Sequence, residues 1–217
     1  MNLEQARYNM VEQQVRPWGV SNPDVLDAMF KLKREDFVPA AYRNFAYADT
    51  EIPLGHGATM LIPQIEAHAL QALQLDKHAK VLEVGTGSGY MAALLATIAD
   101  QVWSVEAVPA LAATARANLS RAGIANVSVE QGDGLTGLPA FGPFDAIMLS
   151  GSVNAVPRAL LDQLKPGGRL FAIVGPGPAM QAQVITRVGE GGHATQTLLE
   201  TVAAPLTGGT APPAFQF

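Results

Sequence analysis

No cysteine occurs among the 217 residues. That absence removes disulfides, thiolate nucleophiles, Cys-ligated zinc and iron–sulfur clusters together. Positive charge is also scarce: 14 Lys and Arg stand against 19 Asp and Glu, giving a formal net charge of −5. A broad basic surface for phosphate backbones is therefore not expected, and neither is a nucleic-acid partner. The four histidines, His56, His68, His78 and His193, include no i, i+4 pair, so no metal site is predicted. No apolar run of about 18 residues occurs, and charges interrupt Met1-Asn2-Leu3-Glu4-Gln5-Ala6-Arg7 where a signal peptide needs an apolar stretch. The expectation is a cytoplasmic protein with no membrane contact.

What the chain does contain is enough apolar residue, 48%, for one substantial core. Residues 3–15 place Leu3, Ala6, Met10, Val11 and Val15 at helical spacing, and Asn22-Pro23 supplies a cap and N1 proline for a second helix. The stretch 37–60 has no period and reads as loop or short strand. Pro63 opens a helix to about Leu75. From Lys80, short apolar runs at 81–84, 102–105, 127–130, 144–149 and 169–174 alternate with helical stretches at 88–99, 109–122 and 154–163. This is the pattern of a parallel sheet wrapped by crossover helices. Runs at 183–188 and 196–202, joined by Gly189-Glu190-Gly191-Gly192, add an antiparallel hairpin. The prediction is a Rossmann-like, doubly wound α/β fold with a mostly parallel seven-stranded sheet. Residues 1–79 would be an N-terminal helical and loop segment, 80–206 the α/β core, and 207–217 an irregular tail.

The strand at 81–84 feeds Gly85-Thr86-Gly87-Ser88-Gly89 and then an apolar helix, so glycine falls where backbone turns sharply and approaches a ligand closely. Tyr90 stands where the dinucleotide fingerprint needs its last glycine, and the P-loop lysine is missing. A cofactor without phosphates, S-adenosylmethionine, fits this turn better than a dinucleotide. Glu106 ends the second of these strands, close to the ~20-residue spacing of a carboxylate that accepts ribose hydroxyls. Asp133, in Gln131-Gly132-Asp133-Gly134, is placed to accept from an adenine amino group, and Glu83 to receive the ammonium of the methionine end. NAD enzymes also use an acid after the second strand, so Glu106 alone does not separate the two cofactors. Ser150 and Gly151, after the fourth strand, and His56, in a loop facing the presumed site, are candidate substrate contacts.

Val81-Leu82-Glu83-Val84-Gly85-Thr86-Gly87-Ser88-Gly89-Tyr90, Gly132-Asp133-Gly134 and Pro143-Phe144-Asp145-Ala146-Ile147 resemble the protein-L-isoaspartate O-methyltransferases. Met10-Val11-Glu12-Gln13-Gln14, Arg34-Glu35-Asp36-Phe37-Val38-Pro39 and Pro53-Leu54-Gly55-His56-Gly57-Ala58-Thr59 are similar to that family's N-terminal region, which generic methyltransferases lack. The resemblance covers about residues 3–206. It implies a class I adenosylmethionine-dependent fold and methylation of isoaspartyl or D-aspartyl carboxylates in damaged proteins. It also implies cofactor contacts at Glu83, Gly85, Thr86, Gly87, Gly89, Glu106, Asp133 and Gly134, and a reaction centre at Thr59 and Leu61. Here the sequence departs from the family: Leu61 occupies its serine position, Ala58 its glutamine, and Gln64 a usual aromatic or histidine. A changed acceptor, or a protein that binds the cofactor without catalysis, stays open at this point.

Overall fold

The computed structural model describes residues 2–189 and 191–209. The chain opens with helix α1 (Leu3–Asn9), capped by the Asn2 side chain, which accepts from the backbone N–H of Glu4 and Gln5. The helix continues over Met10–Val15 as a wider π-helical stretch that turns Met10, Val11 and Val15 into the core. The 3–15 helix is thus present, with its second half wound differently from the predicted period. Helix α2 (Pro23–Lys31) begins on the expected Asn22 cap and N1 proline. Within 37–60 the chain forms an antiparallel pair, β1 (Ile52–Gly55) and β2 (Ala58–Met60), after 3₁₀ turns at Arg34–Asp36 and Ala40–Phe45. The two strands have four and three residues, too short for a period of two to register. Helix α3 (Pro63–Leu73) follows.

The second half builds one sheet from β3 (Lys80–Val84), β4 (Gln101–Glu106), β5 (Val127–Gln131), β6 (Phe144–Val153), β7 (Leu164–Val174), β8 (Met180–Val188) and β9 (Gly192–Thr201). Its order is β5-β4-β3-β6-β7-β8-β9. The first five strands run parallel, and β8 and β9 add an antiparallel hairpin at one edge. Glu190, in the predicted hairpin turn, lies outside the described residues. The crossover helices are α4 (Tyr90–Ala96), α5 (Pro109–Arg121) and α6 (Arg158–Leu161). The last is shorter than the predicted 154–163 helix because Asn154 N–H is taken by the Gly209 carbonyl of a returning segment and Pro157, in extended conformation, is the N-cap. Ser152 N–H donates to the Ala204 carbonyl and Leu206 N–H to the Ser152 carbonyl, both at 2.9 Å. Residues 203–209 therefore form an extended strap beside the end of β6. Of the predicted irregular tail, 207–209 belong to this strap, and 210–217 lie outside the described residues.

Because β3 pairs with β4 on one side and β6 on the other, the direction of sheet growth reverses there. In open α/β sheets the carboxyl ends of strands at such a switch point form a ligand crevice. The N-terminal segment packs on one face of the sheet and on α4: Met10, Val25, Met29, Ile65 and Leu70 share one apolar cluster with Val81, Leu94 and Phe171.

Candidate functional site

Beyond Val84 the chain turns through Gly85, Gly87 and Gly89, whose φ values of 92°, 52° and 85° lie in the left-handed region that glycine tolerates. Above the turn opens a cleft with walls from the β1–β2 turn, the ends of β3, β4 and β6, and the strap. Gly85 and Gly87 line it. A Cβ at Gly85 would lie 2.5 Å from Leu206 Cδ2, so backbone and strap meet closely here. Two of the expected contacts are not walls of this cleft. Gly89 starts α4 and sits against α5, where an added Cβ would come within 3.3 Å of the Ala115 carbonyl; its missing side chain serves helix packing. The Thr86 hydroxyl is buried against Ser104 Oγ at 2.6 Å, beneath the turn.

Glu106 is held rigidly at the end of β4. Its Oε2 accepts from Gly87 N–H at 2.8 Å and its Oε1 from Val108 N–H at 3.0 Å, while the residue lines the cleft. Each oxygen keeps further acceptor capacity for a pair of ribose hydroxyls. Asp133 is exposed and caps the 3₁₀ turn Gly134–Thr136, with Oδ1 accepting from Leu135 N–H at 3.0 Å. Its second oxygen is not used in that cap. Gly134 lines the cleft beside Leu135, and its lack of a Cβ lets the backbone cross Val84, whose Cγ1 would otherwise lie 2.5 Å away.

A smaller chamber adjoins the cleft, and the two share Thr59, Gly85, Gly87 and Ser150 as walls. Leu61, 5% exposed, lines this chamber together with Glu66, Glu83 and Tyr90. The Thr59 hydroxyl donates to Glu51 Oε2 at 3.1 Å. Glu83 lies fully buried and accepts from Ser104 Oγ at 2.6 Å and Ser150 Oγ at 2.8 Å. Each of its two oxygens is thus engaged once by a hydroxyl, and the residue still lines the chamber wall. Burial pushes the Glu83 carboxyl up to about 8, against the lowering by both serine bonds. Burial likewise raises Glu66 to about 7, with the Arg34 guanidinium pulling the other way. His56 occupies the β1–β2 turn at φ 55° and lines the mouth of the cleft. Gly151 lies under the strap, where a Cβ would meet Leu206 and the Ala204 carbonyl.

Three contributors were not found in the sequence as site residues. Arg34 and Glu66 form a buried ion pair between segments 32 residues apart, which no local spacing reveals. Leu206 comes from a stretch read as the end of the core and the start of the tail. Its only signal is the Pro205-Leu206 pair, an apolar residue in a Gly- and Thr-rich stretch.

The family model for protein-L-isoaspartate(D-aspartate) O-methyltransferase matches residues 5–211. The protein-L-isoaspartate O-methyltransferase of Myxococcus xanthus is 46% identical over 193 residues, covering 88% of this chain and 91% of that relative. The enzyme of the same name from Gloeobacter violaceus is 41% identical over 198 residues, covering 91% of this chain and 97% of the relative. A solved protein-L-isoaspartate O-methyltransferase superposes with a TM-score of 0.80 at 29% identity, over 91% of this chain and 64% of that longer one. A Plasmodium falciparum structure assigned to the same enzyme class, in complex with S-adenosyl-L-homocysteine, gives a TM-score of 0.80 at 22% identity, over 95% of this chain and 99% of that one. The latter likeness concerns the fold. With the family model matched across nearly the whole chain and relatives of this identity at nearly full length, the chain belongs to the protein-L-isoaspartate (D-aspartate) O-methyltransferase family.

Proposed function

We propose that this protein is an S-adenosylmethionine-dependent carboxyl methyltransferase acting on isoaspartyl or D-aspartyl residues of damaged proteins. The observation that carries the reading is the shared wall of cleft and chamber at Thr59, Gly85, Gly87 and Ser150. A donor in the cleft and an acceptor in the chamber would meet there. The cleft suits the cofactor: Glu106 offers a fixed carboxylate for two hydroxyls, and Val108 and Leu135 supply apolar walls for a flat ring. When bound, the cofactor supplies an electrophilic methyl on a sulfonium sulfur, and transfer to a carboxylate oxygen leaves a methyl ester and S-adenosylhomocysteine.

A carboxylate acceptor with a pKa near ~4 is ionised at neutral pH and needs no general base. The residues of this chain therefore act by positioning and by excluding water. Leu61 and Met60 give the chamber apolar surface. The Arg34 guanidinium offsets the charge of Glu66, and Glu83, raised by burial to about 8, stays largely protonated at neutral pH, which limits their repulsion of an anionic acceptor. The test is incubation with methyl-labelled S-adenosylmethionine and an isoaspartyl peptide beside its normal aspartyl twin. Base-labile label on the isoaspartyl peptide alone is expected; equal label on both, or none at high protein concentration, refutes the assignment.

A further inference from the structure

Arg34 is completely buried, yet it belongs to a 3₁₀ turn of the N-terminal segment, far in sequence from the cofactor turn. Its guanidinium makes three contacts, each to a residue of the chamber wall. Nη1 pairs with the Glu66 carboxylate, Nη2 donates to the Leu61 carbonyl at 2.7 Å, and the group lies 4.8 Å from the centre of the Tyr90 ring. Leu61 sits on the loop between β2 and α3. Tyr90 follows Gly89 directly and begins α4, so it moves with the glycine turn. Phe37, three residues beyond Arg34, packs edge-on against the same ring at 5.5 Å.

Stability explains this arrangement poorly. A buried ion pair carries a large desolvation cost and is commonly replaceable by apolar residues of similar volume without loss of stability. Arg34 Nε also has no hydrogen-bond partner among the described residues. What the guanidinium provides is a planar fork that joins a carboxylate, a backbone carbonyl and a ring face in fixed relation.

We propose that Arg34 is a positioning residue for methyl transfer, one that locks the Leu61 loop against the helix following the glycine turn and so sets the gap between acceptor and donor. The proposal rests on the methyltransferase reading above. A misplacement of about 1 Å lowers turnover by around 100-fold in favourable cases.

Two variants test it: Arg34→Lys, which keeps charge but loses the fork, and the double variant Arg34→Met with Glu66→Met, which removes the pair without stranding a charge. The proposal expects kcat on the isoaspartyl peptide to fall about ten- to a hundredfold in both, with peptide KM and S-adenosylhomocysteine affinity within about threefold of wild type. Amide hydrogen exchange, measured on the S-adenosylhomocysteine-loaded proteins, is expected to quicken at residues 59–62 and stay unchanged in β3 and β4. A folded double variant with wild-type kcat overturns the proposal. So does a loss of kcat accompanied by an equal loss of S-adenosylhomocysteine affinity, which would mark general damage to the fold. If wild type labels no peptide, the functional reading fails instead, and the exchange rates at 59–62 still decide whether Arg34 holds the loop.

Discussion

Among individual side chains, Glu83 gives the protein its sharpest dependence on pH. Its folded pKa, about 8, lies above the ordinary 4.5, so the fold favours the protonated carboxyl. The stabilisation is complete below pH 4.5 and is lost as pH rises through about 8. Glu83→Gln, which keeps a neutral hydrogen-bonding group between Ser104 and Ser150, is expected to flatten the fall of the melting temperature between pH 4.5 and about 8; Glu66 would leave a smaller fall between pH 4.5 and about 7. Leu61→Ser tests the family's serine position. Restoring a hydroxyl that bonds a charged acceptor is expected to raise kcat/KM roughly ten- to a hundredfold. Losing a buried leucine would lower stability by about 2–4 kcal/mol, read by urea denaturation. These residues differ in how openly the sequence displays them. Glu106 is legible because strand, turn and spacing are local. Glu83 is visible as an acid at a strand end, but its two serine partners come from β4 and β6 and decide that it faces inward. Arg34 and Glu66 are invisible, since their pairing depends on the N-terminal segment folding over α3.

The secondary-structure elements follow simple rules where their environment is simple. Five apolar runs became the five parallel strands; central β3 and β6, buried on both faces, have little alternative to uniform apolarity, whereas edge strand β5 is half-exposed and shows its period through Val127 and Val129. The β1–β2 pair lacked such a signal, being short and partly exposed, and the 154–163 helix starts late because Asn154 is tied to the strap and extended Pro157 is its N-cap. Glycine positions were found but in part assigned the wrong neighbour. Gly89 illustrates this: the motif marks it as a ligand contact, whereas its φ of 85° and its approach to Ala115 make it a packing device between α4 and α5. Gly89→Ala is expected to destabilise by at least about 1–2 kcal/mol from the left-handed conformation alone. At roughly 2–4 °C per kcal/mol for a chain of this size, a thermal melt would resolve it. An unchanged melting temperature would show that α4 shifts at little cost.

For the molecule as a whole, the N-terminal segment and the sheet share one apolar cluster, and the buried pairs Arg34–Glu66 and Glu35–Tyr47 hold that segment together internally. Calorimetry is therefore expected to show a single unfolding transition with equal calorimetric and van't Hoff enthalpies. Two separable transitions would mean that residues 1–79 fold apart from the core. No helix among the described residues is long and apolar enough to cross a membrane. The strap over β6 bears on how the protein comes into being. Part of the cofactor cleft's wall is Ala204, Pro205, Leu206 and Thr207, while the glycine turn it closes on is made more than half a chain earlier. During synthesis, a nascent chain holding β3 through β6 would display an open, unwalled crevice. Completion of the cleft would then wait until residues 204–207 have been made and can fold back, and premature termination before residue 204 would yield a product lacking that wall.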